Sequence, residues 1–226
     1  MDKDQRLLEE AYQSIYESVR EPEYFGPKTS KKAYMKWLEL HEFEVHEDGS
    51  VSVQGGIRLN SSRLTALPFN FRRVSGSFEC IGNRLETLKG APNEVGGNFY
   101  CGSNRLTSLE GAPEKVGKDF LCDHNQLKTL KGAPESVGGV FDCCDNLLTS
   151  LDGGPKTVSG LFVCKYNPLE SLAGAPEELK GKFYSDKFSD EEYREYAKEL
   201  ARRIRIQDKY IKGKLDKEFD IDLKDF

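Results

Sequence analysis

No apolar run in this 226-residue chain approaches a membrane span, which takes about 20 consecutive apolar residues. Its first residues are acidic and lack the hydrophobic core of a secretion signal, so the expected location is cytoplasmic. Cys-x-x-Cys is missing, and with it the commonest zinc spacing. The Gly-Gly pairs are not followed by Lys-Ser or Lys-Thr, so they do not form a phosphate loop. His41 and His46 flank Glu42 but stand five apart in an alternating segment, whereas a helical zinc-protease motif needs a separation of four. No nucleophile–base triad or carboxylate pair stands out. Excess basic charge is missing too: 33 Lys and Arg face 38 Asp and Glu, a net charge of −5. That balance argues against nucleic acid as the partner. The expectation is a protein without catalytic, cofactor or metal residues.

What the chain has is a period. Asparagine recurs at 83, 104, 125, 146 and 167, always 21 residues apart, and cysteine at 80, 101, 122, 143 and 164. Phenylalanine (78 to 183), proline (92 to 176) and two leucine columns (85 to 169 and 88 to 172) keep the same step. A strict period of this length marks a stacked solenoid, in which each unit buries its apolar face only against its neighbours. Phe99 and Cys101 are two apart, so in a strand both face inward. Asn104 ends the strand and bonds backbone groups of its own and adjacent turns, forming an internal ladder. Leu106 and Leu109 point back inward, and Pro92 lies where the chain rounds the far side. Five of the six cysteines fall on one buried column. Reduced core thiols explain them; disulfides and metal ligation are the alternatives. Cys144 is off that column and faces outward.

The unit Ala91-Pro92-x-x-Val95-Gly96-Gly97-x-Phe99-x-Cys101-x-x-Asn104-x-Leu106-x-x-Leu109-x-Gly111 resembles a leucine-rich repeat, and its proline entry and short period are similar to the bacterial-effector subclass of that family. Phe and Cys replace the usual strand leucine and valine, and a Gly-Gly pair precedes the strand. Phage and bacterial proteins with Gly-Ala-Pro/Phe-x-Cys repeats are very similar. The resemblance covers roughly residues 53 to 187. It implies an α+β fold: a leucine-rich-repeat-like solenoid with a parallel sheet, capped by N- and C-terminal helices.

Degenerate units flank the array. Val53, Gly55, Ile57, Leu59, Ser62, Leu64 and Leu67 occupy the repeat columns one step before the first full unit. Pro176, Leu179, Gly181 and Phe183 begin one more, which breaks off at Ser185. Three segments result: an N-terminal helical cap over 1–42, the solenoid over 43–187, and a C-terminal helical cap and tail over 188–226. Leu7, Leu8, Ala11, Tyr12, Ile15, Tyr16 and Val19 follow helical spacing within 4–19, and a second short helix is expected over 30–40. They form either a cap or a docking helix. Phe43, Val45, Val51 and Val53 alternate about Asp48-Gly49, a hairpin signal. Ser189-x-x-Glu192 is a capping box opening a helix of about four turns, with Tyr193, Tyr196, Ala197, Leu200 and Ile204 on one face. Arg202, Arg203 and Arg205 lie near its expected end, either complementing the helix dipole or forming a basic contact patch. The tail from Asp216 either adds a strand, packs on the cap, or binds elsewhere.

Outward strand positions change from unit to unit while structural ones hold. Leu121, Val140, Leu161 and Val163 face out, rimmed by charged Asp123, Asp142 and Lys165, with Tyr100 beside them. In a leucine-rich repeat this is the concave face, and an apolar patch rimmed by charge suggests a protein interface. The competing reading is that the C-terminal tail covers it. The expected function is a non-catalytic scaffold binding a protein partner there. The resemblance implies a phage protein acting on a host factor or defence system. The alternative is a structural or virion-associated protein assembling through its flanking helices.

Overall fold

The computed structural model describes residues 42–222, with side chains as far as Lys212. The N-terminal cap expected over 1–42, with its helices at 4–19 and 30–40, lies outside the described residues apart from Glu42. In chain order come β1 (Glu42–Val45), β2 (Val51–Gln54), β3 (Ile57–Arg58), β4 (Phe71–Val74) and β5 (Phe78–Glu79). Then follow β6 (Glu94–Val95), β7 (Phe99–Tyr100), β8 (Lys115–Val116), β9 (Phe120–Leu121) and β10 (Ser136–Val137). The array ends with β11 (Phe141–Asp142), β12 (Thr157–Val158), β13 (Phe162–Val163), β14 (Glu178–Leu179) and β15 (Phe183–Tyr184), before one helix, α1 (Asp190–Asp222).

These strands make a β-solenoid of about six turns with two sheets, parallel throughout except at β1. The seven-stranded sheet runs β15-β13-β11-β9-β7-β5-β3, and the eight-stranded sheet runs β1-β2-β4-β6-β8-β10-β12-β14. The first is the Phe-x-Cys sheet, in register at the 21-residue step, with Phe78 opposite Phe99 and Phe99 opposite Phe120. The second corrects the expectation of a single sheet. It forms at the valine column, where Val95 pairs with Val74 and Val116. The glycines after three of these valines permit it: a Cβ on Gly96, Gly117 or Gly138 would sit 2.1–2.3 Å from a carbonyl oxygen of the previous coil. The hairpin about Asp48-Gly49 forms as expected, with β1 antiparallel to β2. The first coil is irregular, and a bulge between Val51 and Ser52 absorbs the mismatch with β4.

Inside, phenylalanines stack coil on coil. Successive rings from Phe78 to Phe183 lie 5.2–5.6 Å apart, at 8–25° between planes. The cysteine column is buried, and all six cysteines are free. Burial pushes the Cys80 thiol up to about 12 and holds Cys101, Cys122 and Cys143 well above their ordinary range. Cys122 Sγ donates to the carbonyl of Asp142 at 3.3 Å.

The asparagine ladder is as expected, and its geometry is specific. Asn125 Oδ1 accepts the N–H of Leu106 in the previous coil at 3.0 Å, while Nδ2 donates to the carbonyls of Cys101 and Cys122 at 3.1 and 3.2 Å. Asn83, Asn104, Asn146 and Asn167 repeat this pattern. The residue before each asparagine is left-handed, with φ from 51° to 69° at Gly82, Ser103, His124, Asp145 and Tyr166.

The last coil is sealed by α1. Tyr193 continues the ring stack on Phe183 at 4.8 Å and 7°, and its hydroxyl donates to the carbonyl of Pro176 at 2.9 Å. Asp190 accepts the N–H of Phe183 at 2.8 Å, and Arg194 donates to the carbonyl of Gly181 at 2.9 Å. The pair is bridged Arg194 to Asp190 at 2.9 Å. The N–H of Phe183 in β15 and the carbonyl of Gly181 just before it thus each meet a side chain of α1. The capping box is present: Ser189 N donates to Glu192 Oε2 at 2.7 Å, and Glu192 N to Ser189 Oγ at 3.2 Å. The helix is far longer than four turns, at 33 residues. Arg202, Arg203 and Arg205 are therefore mid-helix, and the chain from Asp216 to Asp222 continues the helix rather than adding a strand.

Asn125→Ala leaves the N–H of Leu106 without its acceptor and takes one of two amide donors from the carbonyls of Cys101 and Cys122, which keep Asn104 and Asn146, and is expected to cost about 1–3 kcal/mol in urea denaturation; wild-type stability would rule out the ladder as a tie between coils. Tyr193→Ala is expected to cost about 3–5 kcal/mol, the range for emptying a buried aromatic site, and an unchanged midpoint would remove α1 from the role of cap.

Candidate functional site

The outer face of the seven-stranded sheet carries all eight residues singled out from the sequence. The strand column reads Arg58, Glu79, Tyr100, Leu121, Asp142, Val163 and Tyr184, each opposite the next. Val140 and Leu161 lie in the column just before it, and Asp123 and Lys165 in the column after Cys122 and Cys164. The expectation of a concave wall rested on the resemblance to a leucine-rich repeat; here strands lie on two flanks of the coil.

The early coils of this face are occupied by polar side chains that hold the backbone. Arg58 reaches Glu79 with two N–H groups, at 2.9 and 3.2 Å, and Asn60 adds a third donor at 2.8 Å. Ser77 Oγ accepts the N–H of Asn98 at 3.1 Å, Asn98 Oδ1 accepts that of Asp119 at 3.1 Å, and Asp119 Oδ1 accepts that of Val140 at 2.8 Å. Variation in this column is thus partly structural, since serine, asparagine and aspartate are alternative acceptors for one backbone donor. Gly139 belongs to the same device, because a Cβ there would meet Asp119 Oδ1 at 2.2 Å.

At Val140 the device stops. Val140 and Leu161 carry no acceptor, and with Leu121 and Val163 they form the apolar end of the face. Leu121, Val140 and Val163 are half-buried by their neighbours, and Leu161 is 37% exposed. Tyr184, 38% exposed, extends the run onto the last coil. Sequence reasoning placed Tyr184 outward but left it out of the patch; its in-register position opposite Val163 is what brings it in.

Charge gathers along one side. Asp142 Oδ1 accepts the N–H of Cys144 at 2.9 Å, and Lys165 is half-buried. His124, which the sequence did not single out as a site residue, donates from Nδ1 to Asp123 at 2.8 Å and lies 3.5 Å from Asp145. Its imidazole is held above the usual range, first by the Asp123 hydrogen bond. Gly102 leaves room for that carboxylate, since a Cβ there would meet Asp123 Oδ1 at 2.7 Å. Burial raises Tyr100, with Asp119 and Glu79 adding to the effect. Cys144 is half-buried, and burial and Asp142 push its thiol up to about 12, which makes it a poor nucleophile.

The opposite flank has an open groove of about 770 Å³ lined by Ala112, Pro113 and Ala133 under charged side chains. Two of these, Lys156 and Glu135, already pair at 2.7 Å. Among the described residues no three His, Cys, Asp or Glu side chains are grouped as a metal would require, and no helix is long and apolar enough to cross a membrane. No family model matches the sequence, and neither a curated protein nor a solved structure matches it. The repeat arrangement alone does not show the leucine-rich-repeat family.

An NMR titration is expected to place the His124 pKa above 6.5, and Asp123→Asn to lower it. Because the folded value is raised, this contact contributes fully below the unfolded pKa of about 6.5 and is lost as pH rises through the folded value. A His124 titration at or below 6.5 in the wild type would contradict the geometry.

Proposed function

We propose that this protein is a non-catalytic interaction scaffold that binds a protein partner through the outer face of its seven-stranded sheet. The observation that carries this reading is the apolar run Leu121, Val140, Leu161, Val163 and Tyr184. Val140 and Leu161 lie where the preceding coils place the backbone-binding Ser77, Asn98 and Asp119, and Leu121, Val163 and Tyr184 lie in the adjacent outward strand column, where earlier coils carry Arg58 and Glu79, so the fold itself does not call for apolar side chains there. Asp123, Asp142 and Lys165 rim the run, giving the apolar-centre, charged-edge pattern of a protein interface. Self-cover by the described part of α1 is disfavoured by its placement: Tyr193, Asp190 and Arg194 meet the end of the coil, not its outer face.

Replacing Leu121 and Val163 together by Glu is expected to leave the melting temperature within a few degrees of wild type and to abolish capture of the partner from native-host lysate, because binding would bury two carboxylates unpaired. Lost stability would mean that the chain's own flanks cover the patch. Unchanged stability with unchanged capture would refute the sheet face as the binding surface.

A further inference from the structure

The helix α1 is longer than its task as a cap requires. Tyr193 is buried against the last coil, Tyr196 and Ala197 pack on the core, and Leu200 and Ile204 are half-buried. The same helical face then continues into solvent. Tyr193, Leu200, Ile204 and Ile211 are separated by seven, four and seven residues, which keeps them in one line along a helix, yet Ile211 is 48% exposed. Leu215 follows at the next step of four, still within the helix. Residues 205–222 extend for about 27 Å, and a helix of that length without tertiary packing is marginal in water.

The charges along this extension select its partner. Arg202, Arg203, Arg205, Lys209, Lys212 and Lys214 come first, with Asp208 the one acid among them. Asp216, Glu218, Asp220 and Asp222 come next, with Lys217 the one base. A second copy laid antiparallel about Ile211 sets its acidic segment, 216–222, along 200–206 of this helix, where Arg202, Arg203 and Arg205 lie, and the reverse, with Lys209 and Lys212 near the axis, while a parallel copy sets like against like throughout. We propose that α1 pairs with α1 of a second copy, antiparallel, about a two-fold axis near Ile211. Such a contact is closed and self-complementary, and it uses no residue of the sheet face. A single pair of helices is a small contact beside the roughly 1,200–2,000 Å² of a standard stable interface, and the dimer is expected to be reversible at micromolar concentration.

Sedimentation of the full chain over a micromolar concentration range is expected to show a monomer–dimer equilibrium that weakens with salt. Ile211→Glu is expected to weaken it by about tenfold or more, with the melting of the monomer unchanged because Ile211 makes no buried contact with the solenoid. Mild oxidation of Ile211→Cys is expected to give a covalent dimer, and of Ile204→Cys none, since an antiparallel axis at 211 carries the two copies of residue 204 about 21 Å apart. A monomer at every concentration, a dimer indifferent to Ile211→Glu, or equal cross-linking of both cysteine variants would each overturn the proposal.

Discussion

Each coil of this protein is tied to the one before it by a side-chain amide. The carboxamide suits the position because it offers an acceptor and two donors on one short stem. Asn104 uses the acceptor for the N–H of Leu85 at 3.0 Å and the donors for carbonyls on both coils, Cys80 and Cys101, at 2.9 and 3.1 Å. A dry core of phenylalanine, leucine and cysteine is possible only because these backbone groups, where the chain turns out of the strand, do not need water. Aspartate at this position would lose the donors, and leucine would lose both functions. The period of 21 follows, since any insertion in a coil would take the amide away from its carbonyls.

Close stacking sets a second constraint, on volume. Gly111, Gly132, Gly153 and Gly174 have φ of 80–90°, and a Cβ on each would lie 2.3–2.9 Å from backbone of the coil before. Conformation and space therefore both select glycine there. The column before the asparagines differs. It is left-handed as well, but Ser103, His124, Asp145 and Tyr166 occupy it, at a cost of about 1–3 kcal/mol for each strained residue. That turn delivers the two preceding carbonyls to the amide, as Cys122 and Asp123 do for Asn125 at 3.2 Å each. Its side chains point to solvent and are free to vary, so His124 is available for its contact with Asp123.

A stack of identical coils has no intrinsic end, and its last coil exposes rings and unpaired backbone. α1 supplies what the next coil would have supplied: a ring for Phe183, an acceptor for its N–H, and a donor for the carbonyl of Gly181. Beyond Val140 the outer face of the seven-stranded sheet keeps little of this set of requirements, the bond of Asp142 to the N–H of Cys144 being one instance. Polar acceptors satisfy the backbone in the early coils, and the later coils carry Leu161, Val163 and Tyr184 without any such role. This difference between two halves of one face gives the binding proposal its physical basis.

The inward columns, the asparagine ladder, the hairpin about Asp48-Gly49 and the capping box at Ser189 were all legible in the sequence, because each depends on local chemistry repeated at a fixed step. So was the outward direction of Leu121, Val140, Leu161 and Val163, which follows from strand alternation. The second sheet was not legible: two residues, Glu94–Val95, are too short to alternate, and only the approach of Gly96 to the neighbouring coil reveals the pairing. The structural use of Ser77, Asn98 and Asp119 was hidden for a related reason, since each bonds a residue 21 positions ahead and the three differ in type. The length of α1 escaped because charge interrupts its apolar face after Ile204. In this chain the sequence by itself determined what each coil buries, since burial repeats with the residue. Only the tertiary structure decided what each coil's surface bonds, since those partners lie on the next coil.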